Sequence, residues 1–207
     1  MPNVDQAVAT VLLSAGTSSR FGGAPKALLR VAGQPAVRRM AELALEIGAT
    51  PVILVTRPGS DKIVEAVAGL GVIPVVAFAA ATGRTASIQA GVAALPPAVD
   101  VLLWPVDHSF VRRRTLERLI LARQRELLGR WFVPTFGGRG GHPVLFSASV
   151  RAGLGELGAD QPLRALQRRS EIDVVRVPVN DPAVAQPIDT PEAYRIAVAQ
   201  ERVWIES

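Results

Sequence analysis

Hydrophobic residues along this chain occur in short unbroken runs rather than in strict alternation with polar ones. These runs cover residues 8–13, 51–56, 72–78, 101–106 and 131–135, and residues 172–179 form a further predicted strand late in the chain. An unbroken apolar run of this length is typical of a strand that is covered on both faces, as in parallel sheets. The pattern therefore predicts a set of buried parallel strands distributed through the chain.

Helical patterns occupy the intervals between these runs. Apolar spacing, starting prolines and terminal glycines predict helices over residues 35–47, 60–70 and 115–128, with others ending near 95, beginning at 162 and beginning at 191. This alternation predicts an α/β fold: a doubly wound, mostly parallel sheet with helices on both faces and ligands at the carboxyl ends of its strands. Because the chain has 207 residues, 49% of them hydrophobic, we expect a single domain over residues 1–207.

The first predicted strand ends in a glycine-rich loop over residues 14–29. The loop combines flexible glycines, hydroxyl side chains and two cations, namely Gly16, Gly22, Gly23, Thr17, Ser18, Ser19, Arg20 and Lys26. We expect the glycines to adopt positive φ angles and to bring backbone N–H groups close to an anion. Since the loop has neither the Gly-Lys-Ser/Thr ending of a P-loop nor the Gly-x-Gly-x-x-Gly of a dinucleotide fold, it predicts a third kind of phosphate-binding loop.

Lysine is rare in this chain, and its placement supports that prediction. Of the 23 basic residues, only Lys26 and Lys62 are lysines. A lysine is a compact point charge on a flexible stem, whereas an arginine presents a wide planar fork. A lysine inside the glycine loop therefore suits a site crowded with phosphate oxygens, although chance placement explains the same observation.

A candidate metal ligand follows the apolar run over residues 101–106. Asp107 stands at the carboxyl end of that predicted strand, where a carboxylate can bind Mg²⁺ while water and phosphate oxygens complete the metal's shell. An aspartate after a strand also commonly caps a turn or a helix. The adjacent His108 gives no metal-binding constellation by itself, so we interpret it as a local contact.

The glycine loop also resembles a known family. Residues 13–29, Leu-Ser-Ala-Gly-Thr-Ser-Ser-Arg-Phe-Gly-Gly-Ala-Pro-Lys-Ala-Leu-Leu, resemble the signature of the MobA-like nucleotidyltransferases, which include molybdenum cofactor cytidylyl- and guanylyltransferases. The resemblance implies a nucleotide-diphospho-sugar transferase-like fold and a loop that wraps a nucleoside triphosphate, with Arg20 and Lys26 on its phosphates. The nucleotide-binding residues that it implies are Leu13, Ala15, Gly16, Thr17, Ser18, Arg20, Lys26 and Ser87; the catalytic residues are Arg20, Lys26 and Asp107.

Two further stretches resemble motifs of the same family. Ser87 matches the serine of a Gly-x-x-x-Ser-x-x-x-Gly stretch, which implies a contact with the base, whereas capping of a helix N-terminus is the alternative. A second glycine-rich loop over residues 136–146 resembles a Gly-x-x-Gly-His-Pro-Val stretch. The resemblance implies acceptor binding by Arg139, Gly141 and His142; for His142 the alternative is a structural hydrogen bond to the backbone.

The C-terminal part of the chain resembles the family as well. Residues 188–194, Ile-Asp-Thr-Pro-Glu-Ala-Tyr, are similar to the pattern Ile-Asp-Thr-Pro-Glu-Asp-Tyr. The resemblance implies that Asp189 joins Asp107 as a magnesium ligand, whereas the alternative is that Asp189 caps the first turn of the final helix. The chain departs from the family pattern at Ser109, where proline is common, and at Pro187, where a further aspartate is common.

The charge of the chain limits its partners. A net charge of +5 suits an anionic small substrate, and with 5% aromatic residues and no recognisable nucleic-acid motif we expect no nucleic acid partner. The three arginines at residues 112–114 are interpreted as a solvated charged face. No apolar stretch reaches the ~18 residues of a membrane span, and there is no basic lead of a signal peptide, so we expect no membrane association and a cytoplasmic location. The absence of cysteine excludes disulfides.

These features together predict a Mg²⁺-dependent nucleotidyltransferase that moves a nucleoside monophosphate from a nucleoside triphosphate to a phosphorylated acceptor. Within the resembled family, alanine at the position of Ala15 accompanies cytosine use, which implies CTP as nucleotide, molybdopterin as acceptor and a molybdoenzyme as client. One alternative is the same transfer to a sugar or alcohol phosphate. Another is a catalytically idle nucleotide-binding module, which the departures at Ser109 and Pro187 favour.

Overall fold

A computed structural model describes residues 7–80, 83–126, 130–168 and 172–205 of the chain. The strands are β1 (Val8–Leu13), β2 (Arg30–Val31), β3 (Gln34–Pro35), β4 (Val52–Thr56), β5 (Ile73–Val76), β6 (Asp100–Pro105), β7 (Arg130–Phe136), β8 (Arg139–Gly140), β9 (Val144–Phe146) and β10 (Asp173–Pro178). The α-helices are α1 (Ala36–Glu46), α2 (Asp61–Glu65), α3 (Arg84–Ala93), α4 (Arg113–Arg125), α5 (Ala148–Ala152) and α6 (Pro191–Ile205).

Within the described residues, eight strands form one sheet in the order β10-β7-β9-β6-β1-β4-β5, with β8 paired to the edge of β7. Strand β1 lies between β4 and β6 and is parallel to both. Strands β8 and β9 are the exceptions: β9 runs antiparallel to both of its neighbours, β6 and β7, and β8 runs antiparallel to β7. The carboxyl ends of β1, β4 and β6 consequently meet at one edge of the sheet, where the loops that follow them come together.

Helices cover both faces of this sheet. Alternate residues of β1 point to opposite faces, so that Leu12 packs in the same core cluster as α1 and α4, whereas Val11 packs with α3 and α5. The predicted apolar stripe of α1 is confirmed, because Val37 and Met40 are completely buried. The doubly wound, mostly parallel α/β fold expected from the pattern of apolar runs is confirmed.

Three local predictions differ from the structure. The helix expected over residues 60–70 is α-helical only in α2, and hydrogen-bonded turns follow it. The segment predicted as a glycine-rich loop over residues 136–146 contains β8 and the central strand β9. The helix expected to begin at residue 162 is a 3-10 helix over Leu163–Arg168. These elements are short, so they leave too little periodicity in the sequence to be recognised.

The predicted helix over residues 115–128 corresponds to α4, and its expected glycine end at residue 129 lies outside the described residues. The solvated face predicted for the three preceding arginines is wrong for Arg112. Only 29% of its side chain is exposed, and Nε lies 3.9 Å from Oδ1 of Asp181, whose side chain is 2% exposed; the backbone N–H of Arg112 donates to Oδ2 of the same aspartate at 2.9 Å. In the described part of the chain, no helix is long and apolar enough to cross a bilayer.

Candidate functional site

The glycine loop leaves the end of β1 and turns back across the edge of the sheet. The N–H of Ser14 donates to the carbonyl of Val55 at 2.8 Å, which fixes the start of the loop on β4. Gly22 and Gly23 have φ angles of 62° and 83°, as expected. Gly16 does not have a positive φ; Ser18 does, at 50°. A serine tolerates this left-handed conformation poorly, so the loop holds it there through its own hydrogen bonds.

Lys26 is anchored at both its backbone and its side chain. Its N–H donates to the hydroxyl of Ser18 at 3.3 Å, and its ammonium donates to Asp189 Oδ1 at 2.7 Å. The ammonium also lies 5.6 Å from the centre of the Phe21 ring. Only 14% of the side chain is exposed. The one lysine of the loop is therefore held in a fixed position rather than free in solvent.

Asp107 lies in a 3-10 turn, Val106–His108, directly after β6. Its Oδ2 is 3.6 Å from the guanidinium of Arg84. Its Oδ1 is buried and has no hydrogen-bond partner among the described residues. The backbone carbonyl of Asp107 accepts a hydrogen bond of 2.7 Å from the N–H of Ile188, so the chain just before Asp189 is tied to the turn that holds Asp107.

The carboxylate of Asp189 interacts with the side chains of two cations rather than with the N–H groups of the first turn of α6. Besides Lys26, Arg20 lies 3.9 Å from its Oδ2. The hydrogen bond from Lys26 lowers the pKa of the Asp189 carboxyl, and the charges of Lys26, Arg20 and Arg84 act in the same direction against the effect of burial. The cap of α6 is Thr190, whose hydroxyl accepts from Ala193 N–H at 3.2 Å. The interpretation of Asp189 as the helix cap is therefore wrong.

One cavity of about 670 Å³ brings these groups together. All the residues expected to bind nucleotide and metal line it: Leu13, Ala15, Gly16, Thr17, Ser18, Arg20, Lys26, Ser87, Asp107 and Asp189. The loop after β4 adds Arg57, Ser60, Asp61 and Lys62, so both lysines of the chain line the same cavity. Its volume is in the range of small-molecule binding sites, and cations line it beside the exposed backbone of the glycine loop.

Helix α3 supplies Ser87 and lies very close to the sheet. A Cβ on Gly91 would lie 2.5 Å from Cγ2 of Val55 and 2.8 Å from Cγ1 of Val11, so a side chain at this position would push the helix outward. Ser87 is buried and lines the cavity. The close approach of α3 at Gly91 therefore sets how far Ser87 reaches into the cavity.

The three residues expected to bind the acceptor lie apart from the lining of this cavity. Arg139 is exposed in β8. Gly141 packs against backbone, since a Cβ there would lie 1.7 Å from the carbonyl oxygen of Val184. The N–H of His142 donates to that same carbonyl at 2.9 Å. The structural hydrogen bond that was the alternative for His142 is thus present, although it uses the backbone rather than the ring.

The rings of His142 and His108 lie 5.1 Å apart in the interior. Nδ1 of His108 is 3.1 Å from the carbonyl oxygen of Ala183, the local contact expected for this residue. Nδ1 of His142 is buried and has no partner among the described residues. Burial, followed by the charges of His108 and Arg84, lowers the pKa of His142 to about 3. Both rings are therefore neutral at physiological pH, since burial also lowers the pKa of His108.

Two charged groups at or near the site gave no clear signal in the sequence. Arg84 pairs with Asp107 across the cavity. Asp181 is buried and accepts hydrogen bonds from the hydroxyl of Thr115 at 2.7 Å and from the N–H of Arg112, which links α4 to the segment before Asp189. Since the partners of both residues are distant along the chain, no local pattern marks either one.

The residues at the site suit a magnesium ion held partly by substrate. No group of three or more His, Asp or Glu side chains that could hold a metal occurs within the described ranges. Mg²⁺ commonly binds through one or two carboxylates plus water and phosphate oxygens, and does not need a larger protein cage. Asp107, whose buried Oδ1 is unpartnered, together with Asp189 gives this kind of donor set.

Comparisons with known proteins agree with the fold. The sequence matches the family model of the MobA-like NTP transferase domain over residues 10–174. No curated protein sequence matches the chain. Rv0371c from Mycobacterium tuberculosis H37Rv is similar in structure, with 24% identity and a TM-score of 0.76, over 95% of this chain and 100% of that chain. It has also been solved in complex with manganese.

Two other solved structures are similar over nearly the whole chain. A nucleotidyl transferase from Methanothermobacter thermautotrophicus is 21% identical, with a TM-score of 0.80 over 95% of this chain and 98% of that chain. Molybdopterin-guanine dinucleotide biosynthesis protein A from Archaeoglobus fulgidus is 17% identical, with a TM-score of 0.69 over 97% of this chain and 100% of that chain. At these identities the similarity concerns the fold.

Proposed function

The chain belongs to the MobA-like NTP transferase domain family, and from that premise we propose that it is a magnesium-dependent nucleotidyltransferase. An oxygen of the acceptor's phosphate forms a bond to the α-phosphorus of a nucleoside triphosphate. The bond from that phosphorus to the oxygen bridging the β-phosphate breaks, and pyrophosphate leaves. No protein nucleophile is needed, because a phosphomonoester is already anionic at neutral pH.

Positioning and charge neutralisation are then the tasks of the protein. The backbone of the glycine loop binds the triphosphate, while Lys26 and Arg20 neutralise the charge that develops on the phosphorus oxygens and on pyrophosphate. The support for this assignment is that both cations line the same cavity as Gly16. Ser87, buried at the inner side of α3, contacts the nucleoside.

Asp107 and Asp189 are the residues that would hold the metal. A bound Mg²⁺ supplies positive charge next to the triphosphate. The unpartnered buried oxygen of Asp107 supports this role, because a buried carboxylate oxygen without a hydrogen bond is costly unless a ligand completes it. One oxygen of Asp189 accepts a hydrogen bond from the Lys26 ammonium, so the same carboxylate that would hold the metal also positions the cation that would bind the phosphates.

The observation that supports the proposal best is the meeting of Lys26, Asp107 and Asp189 at one cavity. These residues come from three distant parts of the chain: Lys26 from the loop after β1, Asp107 from the turn after β6 and Asp189 from the segment before α6. A phosphate-binding cation beside two metal-binding carboxylates is the arrangement that phosphoryl transfer requires.

We further propose CTP as the nucleotide and molybdopterin as the acceptor, with a molybdoenzyme as the client of the product. Ala15 lines the cavity next to the loop backbone, and its methyl group leaves less room for a purine than glycine would. Molybdopterin is proposed from the resemblance of the sequence motifs to those of molybdenum cofactor transferases; one protein of similar fold, from Archaeoglobus, is a molybdopterin-guanine dinucleotide biosynthesis protein. We also propose that the reaction takes place in the cytoplasm.

Turnover assays with defined acceptors test the proposal. The protein is incubated with one nucleoside triphosphate at a time, Mg²⁺ and pyrophosphatase, and with molybdopterin, a sugar phosphate or an alcohol phosphate. We expect phosphate release and a cytidylylated product with CTP and molybdopterin. Turnover with a sugar phosphate alone would reassign the acceptor. Nucleotide binding without turnover on any acceptor would contradict the transferase and leave a nucleotide-binding module.

The proposed preference for cytosine over guanine is tested separately, by nucleotide binding. We expect CTP to bind more tightly than GTP in equilibrium titrations, and Ala15→Gly to narrow that difference because it removes the methyl group that restricts the purine. Tighter binding of GTP by the unaltered protein would overturn the assignment of cytosine. It would leave the transfer reaction itself in place.

A further inference from the structure

Arg84 occupies a position that is unfavourable for its own helix. It is the first residue of α3, and the first turn of α3 contains no acidic residue. A cation at a helix N-terminus opposes the helix dipole and is destabilising. Its side chain is 66% exposed, so packing does not explain its presence either. The position of Arg84 therefore points to a role outside the helix.

The backbone on both sides of Arg84 is tightly fixed. Before it, a Cβ on Gly83 would lie 2.3 Å from the carbonyl oxygen of Ala159, so only glycine allows this approach. After it, the hydroxyl of Thr85 donates to the carbonyl oxygen of Gln161. The start of α3 is thus held by the segment around residue 160. Only the long side chain of Arg84 is free to change direction.

That side chain now faces Asp107. The guanidinium lies 3.6 Å from Oδ2, which is longer than a good hydrogen bond, and the cation is open to solvent. Ion pairs of this kind are weak and easily exchanged. The carboxylate is very differently placed, since its side chain is only 13% exposed. The largely buried carboxylate of Asp107 is therefore paired with a solvent-exposed cation.

The second carboxylate of the cavity is also paired with cations. Asp189 faces Lys26 and Arg20. In the structure, the groups that suit phosphate are thus paired with the groups that suit a metal. A metal on either carboxylate, or a phosphate on its cation, would compete with these pairs.

We propose that Arg84 exchanges partners during binding: it neutralises Asp107 in the free protein and turns to the triphosphate when a divalent cation takes Asp107. The inference deepens the proposed function and rests on it. A metal on Asp107 frees Arg84 for the triphosphate, and a triphosphate on Arg84 frees Asp107 for the metal. Each ligand therefore favours the binding of the other through this pair. Such coupling is reciprocal by thermodynamic necessity.

Removal of any positive charge from the cavity should strengthen Mn²⁺ binding and weaken CTP binding to some degree, so the exchange is recognised by shifts that are larger for Arg84 than for another cation of the same lining. With Arg84→Gln we expect Mn²⁺ to bind about 5-fold more tightly in the absence of nucleotide, since its competitor is gone, and CTP in the presence of EDTA to bind about 10-fold more weakly. Free Mn²⁺ is followed by electron paramagnetic resonance, and CTP binding by calorimetry. Neither readout depends on turnover.

Two other variants serve as controls. Arg57→Gln removes one positive charge from the same cavity lining without opening the pair with Asp107, so its effect on Mn²⁺ affinity should be smaller. Arg84→Lys keeps the charge and should return both dissociation constants toward those of the unaltered protein. Melting temperatures establish that each variant is folded.

The outcomes separate the exchange from the proposed function. Opposite shifts for Mn²⁺ and CTP that are larger in Arg84→Gln than in Arg57→Gln support it. Unchanged or weaker Mn²⁺ binding by Arg84→Gln overturns it. Shifts of the same size in the Mn²⁺ and CTP dissociation constants of Arg57→Gln also overturn it, because they would show only a general charge effect. If the exchange is overturned but the unaltered protein still binds CTP in the presence of metal, the proposed function stands. If it binds no nucleoside triphosphate even with metal, the proposed function fails, and this inference fails with it.

Discussion

Replacement of Lys26 by methionine is the most direct test of the chemistry of the glycine loop. Methionine keeps an unbranched stem that can still contact the ring of Phe21, but it removes the ammonium. In the structure that ammonium lies 2.7 Å from Asp189 Oδ1, and 14% of the side chain is exposed. The substitution therefore removes a charge from a fixed position while it changes little of the packing.

The expected effects on turnover and on stability differ in size. Loss of one charge-stabilising donor at a phosphoryl-transfer site typically costs at least ~100-fold in turnover. The cost in stability is small, because Asp189 is 43% exposed and can be hydrated, and Arg20 stays 3.9 Å away. A pair with one partly exposed partner contributes about 1 kcal/mol, so we expect Tm to fall by no more than about 4 °C.

The stability cost should also depend on pH in a defined direction. The hydrogen bond from Lys26 lowers the folded-state pKa of Asp189. The stabilisation that it provides is therefore present above the ordinary carboxyl pKa and disappears as the pH falls through the lowered one. The difference in stability between Lys26→Met and the unaltered protein should be constant near neutral pH and shrink in acid.

Turnover is measured as pyrophosphate release at saturating nucleotide and metal, and stability by thermal melting. Lys26→Arg is the matched control, since it keeps the charge but has a wide fork that fits a crowded phosphate site poorly, and we expect partial activity. Turnover of Lys26→Met within about 5-fold of the unaltered protein would refute the reasoning. A fall in Tm of more than about 10 °C would mean that the loss of activity reflects unfolding.

Three further predictions concern other parts of the molecule. Gly91→Ala should lower the free energy of unfolding by about 1–3 kcal/mol, because the added methyl group clashes with Val55. A second substitution, Val55→Ala, made in the Gly91→Ala variant should recover part of this loss. An unchanged denaturation midpoint for Gly91→Ala would contradict the close contact. Asp189→Asn should raise the Mg²⁺ concentration for half-maximal activity and leave the metal-free Tm nearly unchanged, whereas unchanged Mg²⁺ dependence with a clearly lower Tm would indicate a structural role. The pKa of His142 falls from 6.5 to about 3 on folding, so only the unfolded chain takes up this proton as the pH drops below 6.5. Between pH 7.5 and 5, the free energy of unfolding of the His142→Gln variant should therefore fall by about 2 kcal/mol less than that of the unaltered protein. Equal falls for the two proteins in denaturation experiments would contradict this prediction.

The long elements could be predicted from sequence because their signals are local. The bounds of β1 follow from one unbroken apolar run, and those of α1 from a stripe of apolar residues between Pro35 and Gly48. The parallel fold then brings the ends of neighbouring strands to one edge. This is why Asp107 and the glycine loop were expected together, and why they line one cavity.

The remaining features depend on contacts between distant parts of the chain. Arg84 is marked only by its pairing with Asp107. Asp181 stands in a short polar segment that gives no sign of the buried hydrogen bonds that it accepts. Likewise, Gly141 and His142 were assigned to the acceptor by motif, and their packing against the carbonyl of Val184 becomes visible only in three dimensions.

The antiparallel strand β9 has a consequence for how the chain folds during synthesis. Strands β1, β4, β5 and β6 pair with one another and can assemble as soon as they have left the ribosome. Strand β7 emerges next but has no neighbour in that group, because β9 separates it from β6. The open edge of β6 therefore stays exposed until residues 144–146 arrive, and exposed strand edges are sites of wrong pairing. In the nascent chain, three residues decide when the second half of the sheet can join the first.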